Sequence, residues 1–143
     1  LKMSIKKIKN LTETLVRVEG NLKEEKEVLE FILEHTTDGY WDWDLTTNYQ
    51  YLSPKLKKQL GYEEDEMENK PESWQAICDK LDLEKTEKRI EDHLDGITED
   101  FKSLIHFTHK DGHIVKILCR GKVVKRDENN QPLRMIGTHT IIL

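Results

Sequence analysis

Between Phe101 and Ile142, three apolar runs are separated by two turn signatures. One is Lys110-Asp111-Gly112, and the other is the polar patch holding Asp127, Asn129, Asn130 and Pro132. Successive strands joined by turns this short must lie antiparallel, so the stretch commits to one sheet. The predicted strands run from Phe101 to Thr108, His113 to Lys125 and Leu133 to Ile142. Two glycines interrupt them: Gly121, directly after Arg120, and Gly137. Glycine weakens a strand unless something needs the space above the backbone. The pair therefore predicts an object lying on the sheet, either a ligand or a packed helix.

Upstream, Tyr40-Trp41-Asp42-Trp43-Asp44-Leu45 alternates with period two, which puts Trp41 and Trp43 on one face. Asn48 marks a turn, and Tyr49, Tyr51 and Leu52 form the returning strand. Ser53-Pro54 supplies an N-cap and a first-turn proline for a short helix that ends at Gly61. Residues 63–70 are acidic and read as a solvated helix start or loop. Residues 71–79 are expected to be irregular, with Trp74 and Ile77 as core anchors. Asp82 is expected to cap a helix running to about Leu94, with Leu83, Thr86, Ile90 and Leu94 on one face. The set of elements is α+β: one five-stranded antiparallel sheet with helices on one face.

A long helix precedes this domain. Ile8, Leu11, Leu15, Val18, Leu22, Leu29 and Ile32 fall at heptad spacing, with Glu25 in the position skipped between Leu22 and Leu29. So narrow a stripe suits a coiled-coil partner, and the alternative is an amphipathic helix packed on its own domain. Thr36 to Gly39 breaks the helix. The organisation is thus 1–35 as a coiled-coil dimerisation helix and 39–143 as a folded domain.

The net charge of −5 leaves no basic footprint for nucleic acid. No apolar run is long enough to span a bilayer, and no signal peptide is visible, so a cytoplasmic protein is expected, with a membrane involved only if a span precedes residue 1. Cys78 and Cys119 have neither metal-type nor disulfide-rich spacing. No hydrolase elbow, P-loop, kinase signature or zinc motif is present, so no catalytic residues are expected. His106, His109 and His113 flank the turn at 110–112, but strand alternation does not aim all three at one point. No metal site is expected there.

From Gly39 to about Ile142 the chain resembles a PAS domain of the type common in bacterial sensory proteins. The resemblance is carried by GYWDWDL, YLSPKLKKQLGY, the tryptophan of WQAIC and, most specifically, HKDGHIVKILCRGKVVKRDENNQPLRMIGTHT. It implies a cavity between the sheet and its helices. Met135, Gly137 and His139 would line it on one side, with Trp41 and Trp43 stacking or simply filling it. Arg120 is a candidate clamp for a carboxylate, or a partner for a surface acid such as Asp44. His139 matches a position that contacts the cofactor in flavin-binding relatives.

The chain lacks the Asn-Cys-Arg-Phe type motif of photoreactive flavin domains. Haem-binding relatives use a histidine on the long helix. His93 lies there but, beside Glu91 and Asp92, reads as solvated, so neither cofactor is expected and the ligand stays unknown. Where the family usually ends in Asp-Ile-Thr, this chain has Ile141, Ile142 and Leu143.

The resemblance implies a regulatory module without catalysis. It would form a homodimer through the N-terminal helix and the sheet, and would relay a signal to a C-terminal histidine kinase or diguanylate cyclase domain. The alternative is a ligand-free module for protein interaction. The two differ in whether side chains fill the cavity.

Overall fold

The computed structural model describes residues 2–36 and 38–143, and the chain divides into two compact units, 1–36 and 37–143. Leu1 and Thr37, expected in the helix and in its break, lie outside the described residues. The first unit is helix α1 (Lys2–Glu34). Its heptad residues are all exposed, Leu11 at 61% and Leu22 at 59% among them. They form an apolar stripe interrupted at Glu25, because positions three and four apart share a helix face.

The second unit is ordered β1 (Gly39–Asp44), β2 (Tyr49–Leu52), α2 (Pro54–Gln59), a 3-10 turn (Glu64–Glu66), α3 (Pro71–Gln75), α4 (Lys80–Leu94), β3 (Phe101–Thr108), β4 (Ile114–Arg126) and β5 (Pro132–Ile141). All five strands join one antiparallel sheet in the order β2-β1-β5-β4-β3. The chain's last strand therefore lies at the centre, between its first and its fourth.

Local chemistry explains the turns. After β1, Asp44 Oδ1 accepts from the Thr46 amide at 2.9 Å and the Thr46 hydroxyl at 2.6 Å, and Asn48 takes the left-handed conformation at φ 63°. Asparagine tolerates that region better than other non-glycine residues. Between β4 and β5, Asp127 Oδ1 accepts from the amides of Asn129 and Gln131, and Asn130 is left-handed at φ 64°. Ser53 caps α2 by accepting from the Leu56 amide, and the same hydroxyl accepts from the Tyr40 amide at 2.9 Å. One side chain thus starts the helix and ties it to β1.

Residues 71–79 are more regular than expected, since Pro71 opens the short helix α3. The cap of α4 is Asp79, whose Oδ2 accepts from the amides of Leu81 and Asp82. Asp82, the expected cap, instead reaches across to β3 and accepts from the backbone amide of His106 and contacts its Nδ1, both at 2.8 Å. Burial opposes ionisation of Asp82, but these His106 contacts outweigh it and hold the carboxyl below its usual range.

The core lies on one face of the sheet, where residues align in rows across the strands. One row is Gln50, Trp43, Met135 and Val123. The next is Leu52, Trp41, Gly137, Gly121 and Phe101, and beyond it come His139, Cys119 and Ser103. α2 packs against β1 and α4 against β3.

Candidate functional site

The middle row places the two strand glycines side by side, Gly121 opposite Gly137, with Trp41 of β1 next to Gly137. The indole of Trp41 lies across both. A Cβ built on Gly137 would fall 2.2 Å from Trp41 Cζ2, and one on Gly121 would fall 2.7 Å from Cζ2 and Cη2. The glycines are therefore the floor of a slot, and its occupant is the chain's own tryptophan, only 4% exposed. A Cβ on Gly137 would also come within 2.1 Å of the Arg120 carbonyl oxygen, which cannot swing away. Gly137→Ala should accordingly destabilise the domain by at least about 1–3 kcal/mol, the usual cost of overpacking. Urea unfolding followed by tryptophan fluorescence checks this, and a parental midpoint would refute it.

What remains beside the indole is a cavity of about 20 Å³ lined by Trp41, Trp43, Gln50, Trp74, Thr86 and His139, among others. That is room for about one water molecule, whereas pockets for drug-sized ligands run to about 300–1,000 Å³. The polar groups around it are mostly paired with each other. The Trp74 indole N–H donates to Gln50 Oε1 at 2.8 Å, and the Thr86 and Ser103 hydroxyls bond at 2.8 Å. Two ring nitrogens are left over. His139 Nδ1 and Trp41 Nε1 are both buried without a hydrogen-bond partner among the described residues. The Trp41 side chain acts on the Cys119 sulfur, a weak acceptor, and opposes part of the rise that burial causes in the thiol.

Burial sets the electrostatics. Desolvation pushes the His139 imidazole down to about 3, so at neutral pH the ring is uncharged. Desolvation likewise pushes the Cys119 thiol up to about 12, and Cys78 is raised to about 12, first by burial and then by Asp82 and Asp79. At neutral pH both cysteines are therefore thiols, the weakly nucleophilic form.

The expected lining residues separate into three groups. Trp41, Trp43 and His139 line the cavity. Met135 and Gly137 share its face, but Met135 is packed solid at 0% exposure and Gly137 lies beneath the Trp41 ring. Arg120 is on the opposite face, paired with Thr138, in a shallow exposed depression with Lys122 and Ile136. Adjacent strand residues point to opposite faces, so once Gly121 faces the core, Arg120 cannot. Asp44, its suggested partner, is occupied by the turn, and the acid that does pair on this side is Asp42, with Arg134. Gln50 and Cys119 were not anticipated in the lining. Strand parity carried the signal for both, since Gln50 lies two residues from Leu52 and Cys119 two from Gly121.

His93 is also a correction. It is buried, not solvated: Nε2 accepts from the Val123 amide at 2.9 Å and Nδ1 pairs with the Thr98 carbonyl at 3.0 Å. Both nitrogens are taken, which leaves no lone pair for iron. The charged neighbours Glu91 and Asp92 concealed its helical register with Thr86 and Ile90, both of which face the sheet.

The model of the PAS fold family matches residues 49–139. No curated protein matches the chain. Among solved structures, the chain is similar to a sensory box histidine kinase/response regulator from Burkholderia thailandensis. The identity is 23%, covering 80% of this chain and 83% of that one, with a TM-score of 0.67. It is similar to the N-terminal domain of a diguanylate cyclase with PAS/PAC sensor from Marinobacter aquaeolei, at 23% identity over 73% of this chain and 94% of that one, with a TM-score of 0.62. A PAS domain from Colwellia psychrerythraea is 18% identical over 85% of this chain and 96% of that one, with a TM-score of 0.63.

Proposed function

The chain belongs to the PAS fold family, and from that premise we propose that it is a sensory and dimerisation module of a larger signalling protein, relaying a signal while its interior is filled by its own tryptophan. The observation that carries this reading is the fit of Trp41 over Gly121 and Gly137, which leaves about 20 Å³ free. A flavin or haem has no room beside that ring. Of the two readings offered by the sequence, the geometry favours the ligand-free module over the small-molecule sensor.

The solved structures from a histidine kinase/response regulator and a diguanylate cyclase support an output domain of that kind in the parent protein. Among the described residues no helix is long and apolar enough to cross a membrane, which is compatible with a cytoplasmic module. Dimerisation would use the exposed stripe of α1. Burying each Leu, Ile or Val side chain there contributes about 1.5–3 kcal/mol at most. The signal is a difference in stability between two packings of the dimer. β5 is suited to carry it, because it lies at the sheet's centre and presents Met135, Gly137 and His139 to the core.

A second reading has its own observation: the buried, unpartnered Nδ1 of His139 is a hydrogen-bonding group without a mate. A small polar molecule held there, with Trp41 swung aside and Trp43 at its edge, would make the module a chemical sensor.

Native mass spectrometry of the intact chain, beside the same sample denatured, distinguishes these readings. The expected spectrum is a dimer of bare polypeptide that becomes monomer in the Leu15→Asp, Leu22→Asp variant, with the tryptophan fluorescence of the second unit unchanged. An extra mass released on denaturation would establish the sensor reading. A variant that stays dimeric would refute the role of α1.

A further inference from the structure

The turn between β3 and β4 carries a cluster that plays no part in the core or in the relay. His109, Asp111 and His113 each present a ligand atom, and all three atoms lie within 4.8 Å of one another. His109 Nδ1 is 3.1 Å from Asp111 Oδ1, and His113 Nδ1 contacts that same oxygen. The two imidazoles stack with centroids 4.3 Å apart and planes at 25°. We propose that this turn is a binding site for a divalent transition-metal ion, with zinc as the best-matched case, held by the two histidines and the aspartate with solvent completing the shell.

Three physical points carry the proposal. The first is distance. Tetrahedral zinc with bonds of about 2.0–2.1 Å has ligand atoms about 3.3 Å apart. The observed 3.1 Å between His109 Nδ1 and Asp111 Oδ1 is already close to that edge length. The Asp111 amide now donates to His109 Nδ1 and the His113 amide to Asp111 Oδ1, both at 3.1 Å, and a cation entering the cluster displaces these contacts.

The second is donor chemistry. Two imidazoles and a carboxylate select zinc, copper or nickel over calcium or magnesium, which favour all-oxygen shells. The sequence expectation of no metal rested on His106, His109 and His113 failing to converge, with Asp111 the one acid near them. His106 is indeed elsewhere, bound to Asp82. The third ligand is Asp111, at the apex of a His-x-Asp-x-His run.

The third is pre-organisation. The turn is closed by the His109 amide donating to the His113 carbonyl and the Gly112 amide to the His109 carbonyl, both at 2.8 Å, with Gly112 left-handed at φ 101°. The Lys110 amide donates to the Leu60 carbonyl at 3.0 Å, which pins the turn to the end of α2. The His109 ring rests on Gly61, where an added Cβ would lie 2.3 Å from its Cε1. The one cation within the turn, Lys110, is drawn off by Glu66. The turn backbone and the His109 ring are thus fixed before binding, and the exposed His113 ring has only to turn out of the stack to aim its in-plane lone pair at the ion.

Calorimetric titration of the chelator-treated intact protein with zinc chloride tests the site. The expected result is one zinc per chain, with affinity lowered by about tenfold or more in His113→Ala and in Asp111→Asn, since losing even an outer partner of a metal site costs about 10–100-fold. His106→Ala should bind like the parent. His113 is exposed, so its variant keeps the fold, and circular dichroism verifies this. Amide and imidazole resonances of residues 109–113 should shift with zinc in the parent, and in His113→Ala only at correspondingly higher zinc. No binding by the parent, or equal affinity in the parent, His113→Ala and Asp111→Asn, would overturn the proposal.

Discussion

Trp41→Ala should destabilise the second unit by about 3–5 kcal/mol, the range for removing a large buried aromatic side chain. Against a typical domain stability of about 5–15 kcal/mol, such a variant would remain folded but marginal. The loss is at the upper end because the slot cannot collapse. Its floor is two glycines in the central strands β4 and β5, with no side chains to move in, and its edges are Leu52 and Phe101 in the same row. A void lined by apolar groups stays dry and accepts an apolar guest of matching shape. Added indole should therefore raise the unfolding temperature of Trp41→Ala and leave the parent unmoved. Trp43→Ala is the comparison, because Trp43 is only half-buried and its N–H already donates to Asn48 at the turn. It should lose less stability and show no response to indole. Equal losses at the two positions, with no rescue, would mean that Trp41 is ordinary core and the slot has no special fit.

The same slot shows where sequence reasoning reaches its limit. That something lies over Gly121 and Gly137 was legible, because glycine inside a strand needs a cause. That the object is Trp41 was not, because the identification depends on β1 pairing with β5, a register between residues about a hundred positions apart. The sheet and its turns were legible because their signals are local: alternation, Asp-Gly, and asparagines in left-handed positions. The α4 cap was misplaced by three residues because both Asp79 and Asp82 are chemically competent caps, and the choice was made by His106 on another element. Arg120 was assigned to the cavity for its chemistry, although parity with Gly121 already excluded it. His93 failed for the opposite reason. It lies among polar neighbours that suggest solvent, and only its contact with the Val123 amide reveals what the side chain touches.

His139 converts this packing into a dependence on pH. Its folded pKa of about 3 lies below the ordinary value of 6.5, because burial disfavours the charged ring. The unfolded chain therefore takes up a proton as pH falls through 6.5, and the folded chain does not until near pH 3. Protons bind preferentially to the unfolded state across that window, so the contribution of His139 is fully present above pH 6.5 and is lost as pH falls. The loss is about 1.4 kcal/mol per pH unit, or about 2 kcal/mol between pH 6.5 and pH 5. Asp82 and Asp111, whose pKa values are lowered, act only below the ordinary carboxylate range and leave this interval clear.

The measurement is urea unfolding at pH 7, 6 and 5, followed by tryptophan fluorescence. All three tryptophans lie in the second unit, so the signal ignores α1. His139→Leu is the control. Its Nδ1 makes no hydrogen bond, so exchanging the ring for an apolar side chain should change stability at pH 7 by no more than about 1 kcal/mol. The parent should then fall away from the variant as the solution is acidified. Parallel curves would mean that the folded protein protonates His139 at ordinary pH, and the imidazole would then have a partner that the packed core does not provide.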